Sequence, residues 1–310
     1  MLKKHILLFF FVLSLIPSCQ SPEKWQTSTL LFFDTLCELN LCCSPSLFIS
    51  AKDEVKRIFS DIENLFSPGA QDFSSPLVIS LFQRALEVYL ASDGYFDITV
   101  APLSKIWGFR DGSHRVPSLD EIRDVLDKIG MEMVEVKNGR VFLKPGVELD
   151  WGGIAKGFGI DLASQALIRM DVKNGFINAG GDLYCWGTNP ENKSWKVGIK
   201  HPRKRGYLGV LSLSQIGLTT TGDYQRYFIK DGIRYHHVFN PKSGYPSEGK
   251  QSVTVLGPET LLCDALSTAL FVSPQPEHIL QKFPEYGAVL VDSSGEIILL
   301  GRAFSFQPLD

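Results

Sequence analysis

Apolar residues recur at helical spacing from Ala155 through Ile168, and just upstream two short stretches, Val141-Phe142-Leu143 and Val147-Glu148-Leu149, read as a hairpin that ends at Asp150. A strand is therefore expected to run into a helix between Asp150 and Ala155. The same periodicities predict strands near Leu30–Leu41 and Leu47–Ile49, then helices over Lys52–Phe66, Leu77–Ala91 and Leu119–Ile129. Strands dominate from Phe176 to Val255, a helix follows over Leu261–Phe271, and a last strand pair lies around Ala288–Leu300, turned by Ser293-Ser294-Gly295-Glu296. Helix and strand interleave without a steady βαβ rhythm, which favours α+β over a doubly wound parallel sheet. No repeat or low-complexity segment is present.

The junction itself carries chemistry. Asp150-Trp151-Gly152-Gly153-Ile154-Ala155-Lys156-Gly157-Phe158-Gly159-Ile160-Asp161 puts two acids, a lysine and four glycines at a helix start. There unpaired N–H groups and the positive end of the helix dipole favour an anion, and the missing side chains let a phosphate come close. A plain strand-to-helix turn would use the same glycines. Further on, Asn178-Ala179-Gly180-Gly181-Asp182 follows an apolar run, and His237-Val238-Phe239-Asn240-Pro241-Lys242-Ser243-Gly244-Tyr245-Pro246 is a strand ending in a turn. Asp264 and Thr268 stand one helical turn apart on one face, where carboxylate and hydroxyl oxygens suit Mg²⁺. A helix cap beside a buried threonine is the alternative.

Taken in order, DWGGIAKGFGID, NAGGDL, TTTGDYQRYF, HVFNPKSGYP and CDALSTALFV, with GYFDITVAPLSKIWGF upstream, resemble the ApbE family of FAD:protein FMN transferases. The resemblance runs from about Leu30 to the C-terminus. It implies a single composite, T-fold-related α+β domain over residues 30–310, with mixed sheets and flanking helices. It also implies an activity: FAD is split at its pyrophosphate, FMN is joined through its phosphate to a threonine hydroxyl of a partner flavoprotein, and AMP is released. Such phosphoryl transfer depends mainly on positioning and charge neutralisation, for which Mg²⁺ is the natural agent.

By resemblance the metal ligands are Asp264 and Thr268, with a main-chain oxygen best placed at Gly153, an all-oxygen set suited to a hard cation. Asp150 and Lys156 match nucleotide contacts, although a solvated helix lysine would look the same. Tyr95-Phe96-Asp97 matches a block in which a ring packs on the nucleotide, or in which Phe96 simply joins the core. His237, with Phe239 two residues on, matches the family histidine. A neutral imidazole there takes the acceptor's proton, or only hydrogen-bonds the cofactor, and His236 is expected on the opposite face. Asp161 is a second candidate for proton transfer, or a cap in the local network.

The chain also departs from the family pattern. Phe33-Asp34-Thr35 stands where Met-Gly-Thr is usual, so the methionine contact is absent or replaced by Phe33, and Phe66-Ser67-Pro68-Gly69-Ala70 has lost the tyrosine of a nucleotide-holding segment. That loss keeps open a Mg²⁺-dependent FAD pyrophosphatase; a non-catalytic FAD-binding lipoprotein is the other alternative, against which the retained Asp264, Thr268 and His237 argue, since a storage site needs no metal.

Lys3-Lys4-His5, the apolar run Ile6 to Ile16 and Leu15-Ile16-Pro17-Ser18-Cys19 have the form of a bacterial lipoprotein signal over residues 1–18, followed by a linker over 19–29. An ordinary secretory signal is the alternative. A lipid on Cys19 would anchor the enzyme to the inner or outer membrane of the cell envelope, facing the periplasm. Gln20, in place of a retention aspartate, favours the outer one. By resemblance the acceptor is then an exported or membrane-anchored subunit of a redox pump. Removing residues 1–18 takes away two lysines and moves the formal charge from −3 to −5, which gives no footing for nucleic acid. The five remaining cysteines, unevenly spaced, form neither a disulfide framework nor a zinc site. With 44% hydrophobic residues, the rest suffices for one substantial core.

Overall fold

The computed structural model describes residues 23–67 and 73–309. The first two strands, β1 (Lys24–Phe32) and β2 (Thr35–Cys43), form a hairpin rather than one strand over Leu30–Leu41, and β1 begins inside the stretch expected to be linker. The chain turns at Phe33 and Asp34, both with positive φ (55° and 54°), as a two-residue hairpin loop requires. Helix α1 (Pro45–Phe66) then absorbs Leu47–Ile49, expected to be a strand. Ser44 and Pro45 explain the difference, because the Ser44 hydroxyl accepts from the Leu47 N–H at 3.3 Å and proline suits the first helical position.

Helices α2 (Pro76–Ala91), α3 (Ala101–Ile106) and α4 (Leu119–Leu126) come next, the last opened by a reciprocal Ser118–Glu121 capping box. The predicted hairpin of 141–143 with 147–149 is replaced by β3 (Val134–Lys137) with β4 (Arg140–Leu143). Gly146, at φ +85°, turns the chain out of the ladder before Val147, which leaves residues 147–150 as an extended link. Helix α5 (Ala155–Arg169) starts where expected.

The later strands are β5 (Asn174–Ala179), β6 (Asp182–Trp186), β7 (Trp195–Lys200), β8 (Tyr207–Leu213), β9 (Ile216–Gly222), β10 (Tyr227–Lys230), β11 (Ile233–His236) and β12 (Lys250–Gly257). Helices α6 (Thr260–Val272) and α7 (Pro276–Leu280) lead to β13 (Gly287–Asp292), β14 (Ile297–Gly301) and β15 (Phe306–Pro308). The β13–β14 turn is held by Asp292, whose carboxylate accepts from the Ser294 N–H and hydroxyl and from the Glu296 N–H.

Eight strands make the main sheet in the order β1-β2-β5-β6-β9-β12-β13-β14, and every pairing is antiparallel. The expected α+β class holds. Helices α1, α5 and α6 cover one face, where the largest core gathers Leu39, Phe59, Ile160, Val255 and Phe271. The other face is covered by a three-stranded sheet, β15-β8-β7, over a second core containing Leu183, Trp195, Leu211 and Leu218. Both α5 and α6 are buried on most of their surface, so neither shows a clean polar face. Their packing between the sheet and neighbouring helices fixes the relative positions of their N-terminal turns, where the chemistry-bearing residues gather.

Candidate active site

Helices α5 and α6 meet N-terminus to N-terminus and cap each other. Gly157 makes this possible, since a Cβ on it would lie 2.5 Å from the Thr260 carbonyl oxygen. Asp161 of α5 accepts from the Thr260 and Leu261 N–H groups of α6 at 2.9 and 2.8 Å. In return Asp264 of α6 accepts from the Gly157 N–H of α5, at 3.2 Å. The exchange is unequal. Asp161 has both oxygens occupied by donors, whereas Asp264 has one long hydrogen bond for a carboxylate that is only 6% exposed.

The proton-transfer candidacy of Asp161 is accordingly replaced by a capping role. Burial pushes its carboxyl up to about 6 against the pull of the two N–H donors, and both oxygens are committed to α6. Asp264 is different. Burial first, then the neighbouring Asp182, push it well above the usual carboxylate range, with Lys156 pulling the other way. A buried acid short of counter-charge is a natural seat for a cation.

Neutral oxygens surround it. The Thr268 hydroxyl lies 3.3 Å from where a Cβ on Gly153 would be, so the glycine brings the backbone close to Thr268 without crowding it. Thr268 also lies 3.3 Å from the Thr221 hydroxyl of β9, which is 2.6 Å from that of Ser267. Asp264, Thr268 and the glycine pair therefore converge, in a donor set made only of oxygen, and the residues present fit Mg²⁺.

Lys156, in the first turn of α5, is not a solvated helix lysine. Its ammonium lies 2.6 Å from Asp182, at the start of β6. Burial would lower its pKa, but Asp182 and then Asp264 outweigh that and hold it at about 12. Asp150 sits beside this turn, with one oxygen accepting from the Gly152 N–H at 2.9 Å and the other 3.4 Å from the Ser104 hydroxyl.

The two histidines separate, but not as neighbours on one strand: β11 ends at His236, His237 lies in the bend after it, and the strand expected from His237 onward is reduced to a single bridge between Phe239 and Pro246. His236 is buried, its Nε2 at 2.7 Å from the Ser247 carbonyl and its Nδ1 accepting from the Val238 N–H, so both nitrogens are used. His237 is half-buried, and its Nδ1 lies 3.2 Å from the Arg226 carbonyl. A carbonyl can only accept, so Nδ1 carries the proton and Nε2 is left as a free acceptor. Burial and then Arg226 lower the ring to about 4, and the ring lies 6.4 Å from that of Phe109, at the border of an aromatic cluster.

Other expected contacts divide between site and core. Phe96 reaches the glycine pair, its ring edge 3.5 Å from a Cβ on Gly153, and Tyr95 lies under the Lys242 ammonium at 4.0 Å. The Phe33 ring packs on Phe59 and against Gly159, one turn along α5 from Lys156. Asp97 turns away from the cluster: it is buried, accepts from the Thr99 N–H and hydroxyl, and is raised by burial to about 6. Phe239 also leaves the nucleotide contacts, because its ring is packed between Trp107 and Phe109 in a separate aromatic cluster. Asp182, Thr221, Ser267 and Arg226 are additions. All four lie inside motifs already singled out, and a carboxylate directly after the Gly180-Gly181 turn was the available signal for the first.

The sequence model of the ApbE family matches residues 49–291. The chain belongs to that family. Among curated relatives, a FAD:protein FMN transferase of Klebsiella pneumoniae is 32% identical over 242 residues, 75% of each chain. One of Treponema pallidum is 29% identical over 257 residues, covering 74% of this chain and 71% of its own. The crystal structure of the ApbE protein from Thermotoga maritima superposes with a TM-score of 0.81 at 30% identity, over 89% of this chain and 97% of that one. The flavin transferase ApbE from Vibrio cholerae shares the fold, with a TM-score of 0.81 over 91% of this chain and 98% of its own, at 20% identity.

Proposed function

We propose that this ApbE-family enzyme transfers FMN from FAD to a threonine hydroxyl of a partner flavoprotein in a Mg²⁺-dependent reaction that releases AMP. Flavin transfer as such rests on the family and on relatives that carry the activity in their names. The observation that carries the rest is the buried, under-neutralised Asp264 set against Thr268 and Gly153, with the Lys156–Asp182 pair alongside. Asp264, Thr268 and the Gly153 carbonyl would hold Mg²⁺, which when bound neutralises the pyrophosphate of FAD.

The remaining work falls to the chain's own groups. Lys156 and the start of α5 bind phosphate oxygens, and Phe96 and Tyr95 shape the nucleotide's bed. His237 Nε2 takes the proton from the threonine hydroxyl as that oxygen attacks the FMN phosphorus. The bond from this phosphorus to the bridging oxygen breaks, and the electron pair leaves with AMP. Because the ring is lowered to about 4, it is neutral and able to accept throughout the neutral range.

The cell-envelope location belongs to the same proposal. Residues 1–18 and Cys19 lie outside the described residues, as do Pro68-Gly69-Ala70, and the expected lipid anchor rests on their sequence. The acceptor would be an exported or membrane-anchored redox subunit. Incubating the mature protein with FAD, Mg²⁺ and a candidate acceptor, then separating FMN-protein from free FMN, tests the reading. Covalent flavin on the acceptor with stoichiometric AMP is expected. Free FMN and AMP alone would replace transfer by hydrolysis, and intact FAD would leave only binding.

A further inference from the structure

Strand β7 pairs with β8 along one edge, and no strand among the described residues pairs with the other. Beside it lies a cavity of about 380 Å³ between the three-stranded sheet and the far face of the main sheet. All six residues from Trp195 to Lys200 line that cavity. Neighbours along a strand point to opposite faces, so a cavity touched by both parities runs along the strand's edge, where its unpaired N–H and C=O groups are. Phe176, Leu183 and Leu218 of the main sheet form the opposite, apolar wall.

One end of the cavity lies across the main sheet from the candidate site. Trp195 closes the other end, with Phe176 edge-on at 5.3 Å, while Lys200 lies over the Tyr224 ring at 5.6 Å. Gly181, Thr220 and Gln225, also in the lining, each precede a residue of the site: Asp182, which pairs with Lys156; Thr221, beside Thr268; and Arg226, which holds His237. Thr220 and Thr221 face opposite sides of β9. A chain leaving the cavity therefore has to round the end of the sheet at Gly181, where a Cβ would meet nothing within 4 Å and no side chain blocks the way.

The charge around this edge selects the occupant. Lys196 and Lys200 on β7, and Lys204 and Arg205 in the turn after it, are exposed and form no ion pair among the described residues, whereas Arg203 is neutralised by Asp223. Four cations that pair with no carboxylate cluster here, against Glu38 as the single acid in the cavity lining, although the whole chain carries a net charge of −3. Lysines on an edge strand discourage indiscriminate pairing. They leave the edge open to an extended segment of opposite charge, bound by main-chain hydrogen bonds with alternate side chains in the pocket.

We propose that the free edge of β7 and its cavity are the docking site for the acceptor protein, which adds an acidic, extended segment as a fourth strand and carries its threonine around Gly181 to the reacting phosphate. This rests on the reading that the substrate is a protein. The probe is a pair of fluorescein-labelled dodecapeptide pools with one central threonine, one pool acidic and one basic. They are titrated against the wild type, Lys196→Glu/Lys200→Glu and Val197→Trp, with FAD binding followed by flavin fluorescence in each. The acidic pool is expected to bind the wild type and to bind the charge-reversed variant at least tenfold more weakly. Val197→Trp, which fills the cavity, should abolish peptide binding, and FAD binding should be equal in all three. N-methylation at alternate backbone nitrogens of the best peptide should also abolish binding. The proposal is overturned if neither pool binds, if both bind alike, or if the variants bind as the wild type does. It is also overturned if sedimentation shows a dimer that Val197→Trp dissociates, since the edge would then belong to a second copy. Absence of FAD binding in the wild type would instead defeat the transferase reading, whatever the peptides do.

Discussion

Asp264 and Asp161 are both buried aspartates at the α5–α6 contact, and their unequal hydrogen bonding gives them different fates under mutation. Asp264→Asn keeps the shape and an acceptor for the Gly157 N–H but removes an under-neutralised buried charge. The variant should therefore melt no lower than the wild type without metal, and lose the stabilisation that Mg²⁺ gives the wild type through binding the folded state alone. Thermal melts with and without Mg²⁺ check this, and an unchanged Mg²⁺ shift would remove Asp264 from the metal site. Thr268→Ala should be milder, because water can replace a neutral ligand. At His237 the argument turns on the direction of the pKa. The ring is lowered from 6.5 to about 4 in the fold, so activity should persist on the acid side well below 6.5 before protonation removes the base. Between those values the unfolded chain takes up a proton that the folded one refuses, so this residue's contribution to stability is lost as pH falls from 6.5 toward 4. His237→Asn should lower single-turnover transfer by about 10²–10⁴-fold while FAD affinity hardly changes. An equal fall in both would make His237 a binding residue.

Among the elements, α5 and α6 are a single interlocked pair, and the residues that lock them are separable from those that react. Asp161→Ala would leave the Thr260 and Leu261 N–H groups buried without acceptors, a loss of about 2–6 kcal/mol for two such donors. Denaturant melts should register it, and because α6 carries Asp264 and Thr268, Mg²⁺ affinity should fall with stability. Unchanged stability would mean that the cap is not made in solution. This pairing was illegible in the sequence, since Asp161 and Thr260 are 99 residues apart and nothing local in DWGGIAKGFGID distinguishes a capping from a reacting aspartate. The same limit explains the strand errors. Leu47-Phe48-Ile49 is an apolar run rich enough for a buried strand, yet Ser44 and Pro45 start a helix across it, and Val141–Leu143 found its partner upstream because Gly146 turns the chain away before Val147 can pair. Local signals were enough at the start of α5, at α6 and at the last hairpin, where cap, glycine and turn residues agreed with the apolar period.

Over the whole molecule, the site was legible because its chemistry sits in short blocks, each local in sequence, that an antiparallel sheet then gathers at one end. The edge of β7 was not, because an unpaired strand is defined by what fails to lie beside it. Were Cys19 to carry the proposed lipid, the same layout would set how far the candidate site can stand from a membrane. Cys19 precedes the start of β1 at Lys24 by five residues, a reach of roughly 17 Å when extended. Strand β1 then carries the chain nine residues, about 30 Å, to the Phe33 turn that packs against α5. The end of the main sheet that carries the candidate site is thus the end of β1 away from Lys24. Cys19→Ser should move the protein from the membrane pellet to the soluble fraction with no change in specific activity on a soluble acceptor, because no residue of the site belongs to that segment. On an acceptor embedded in vesicles the released enzyme should be slower at equal concentration, since co-localisation on one surface raises the effective concentration of the partners. A Cys19→Ser protein that still pellets with membranes would show that the thiol is not the point of attachment.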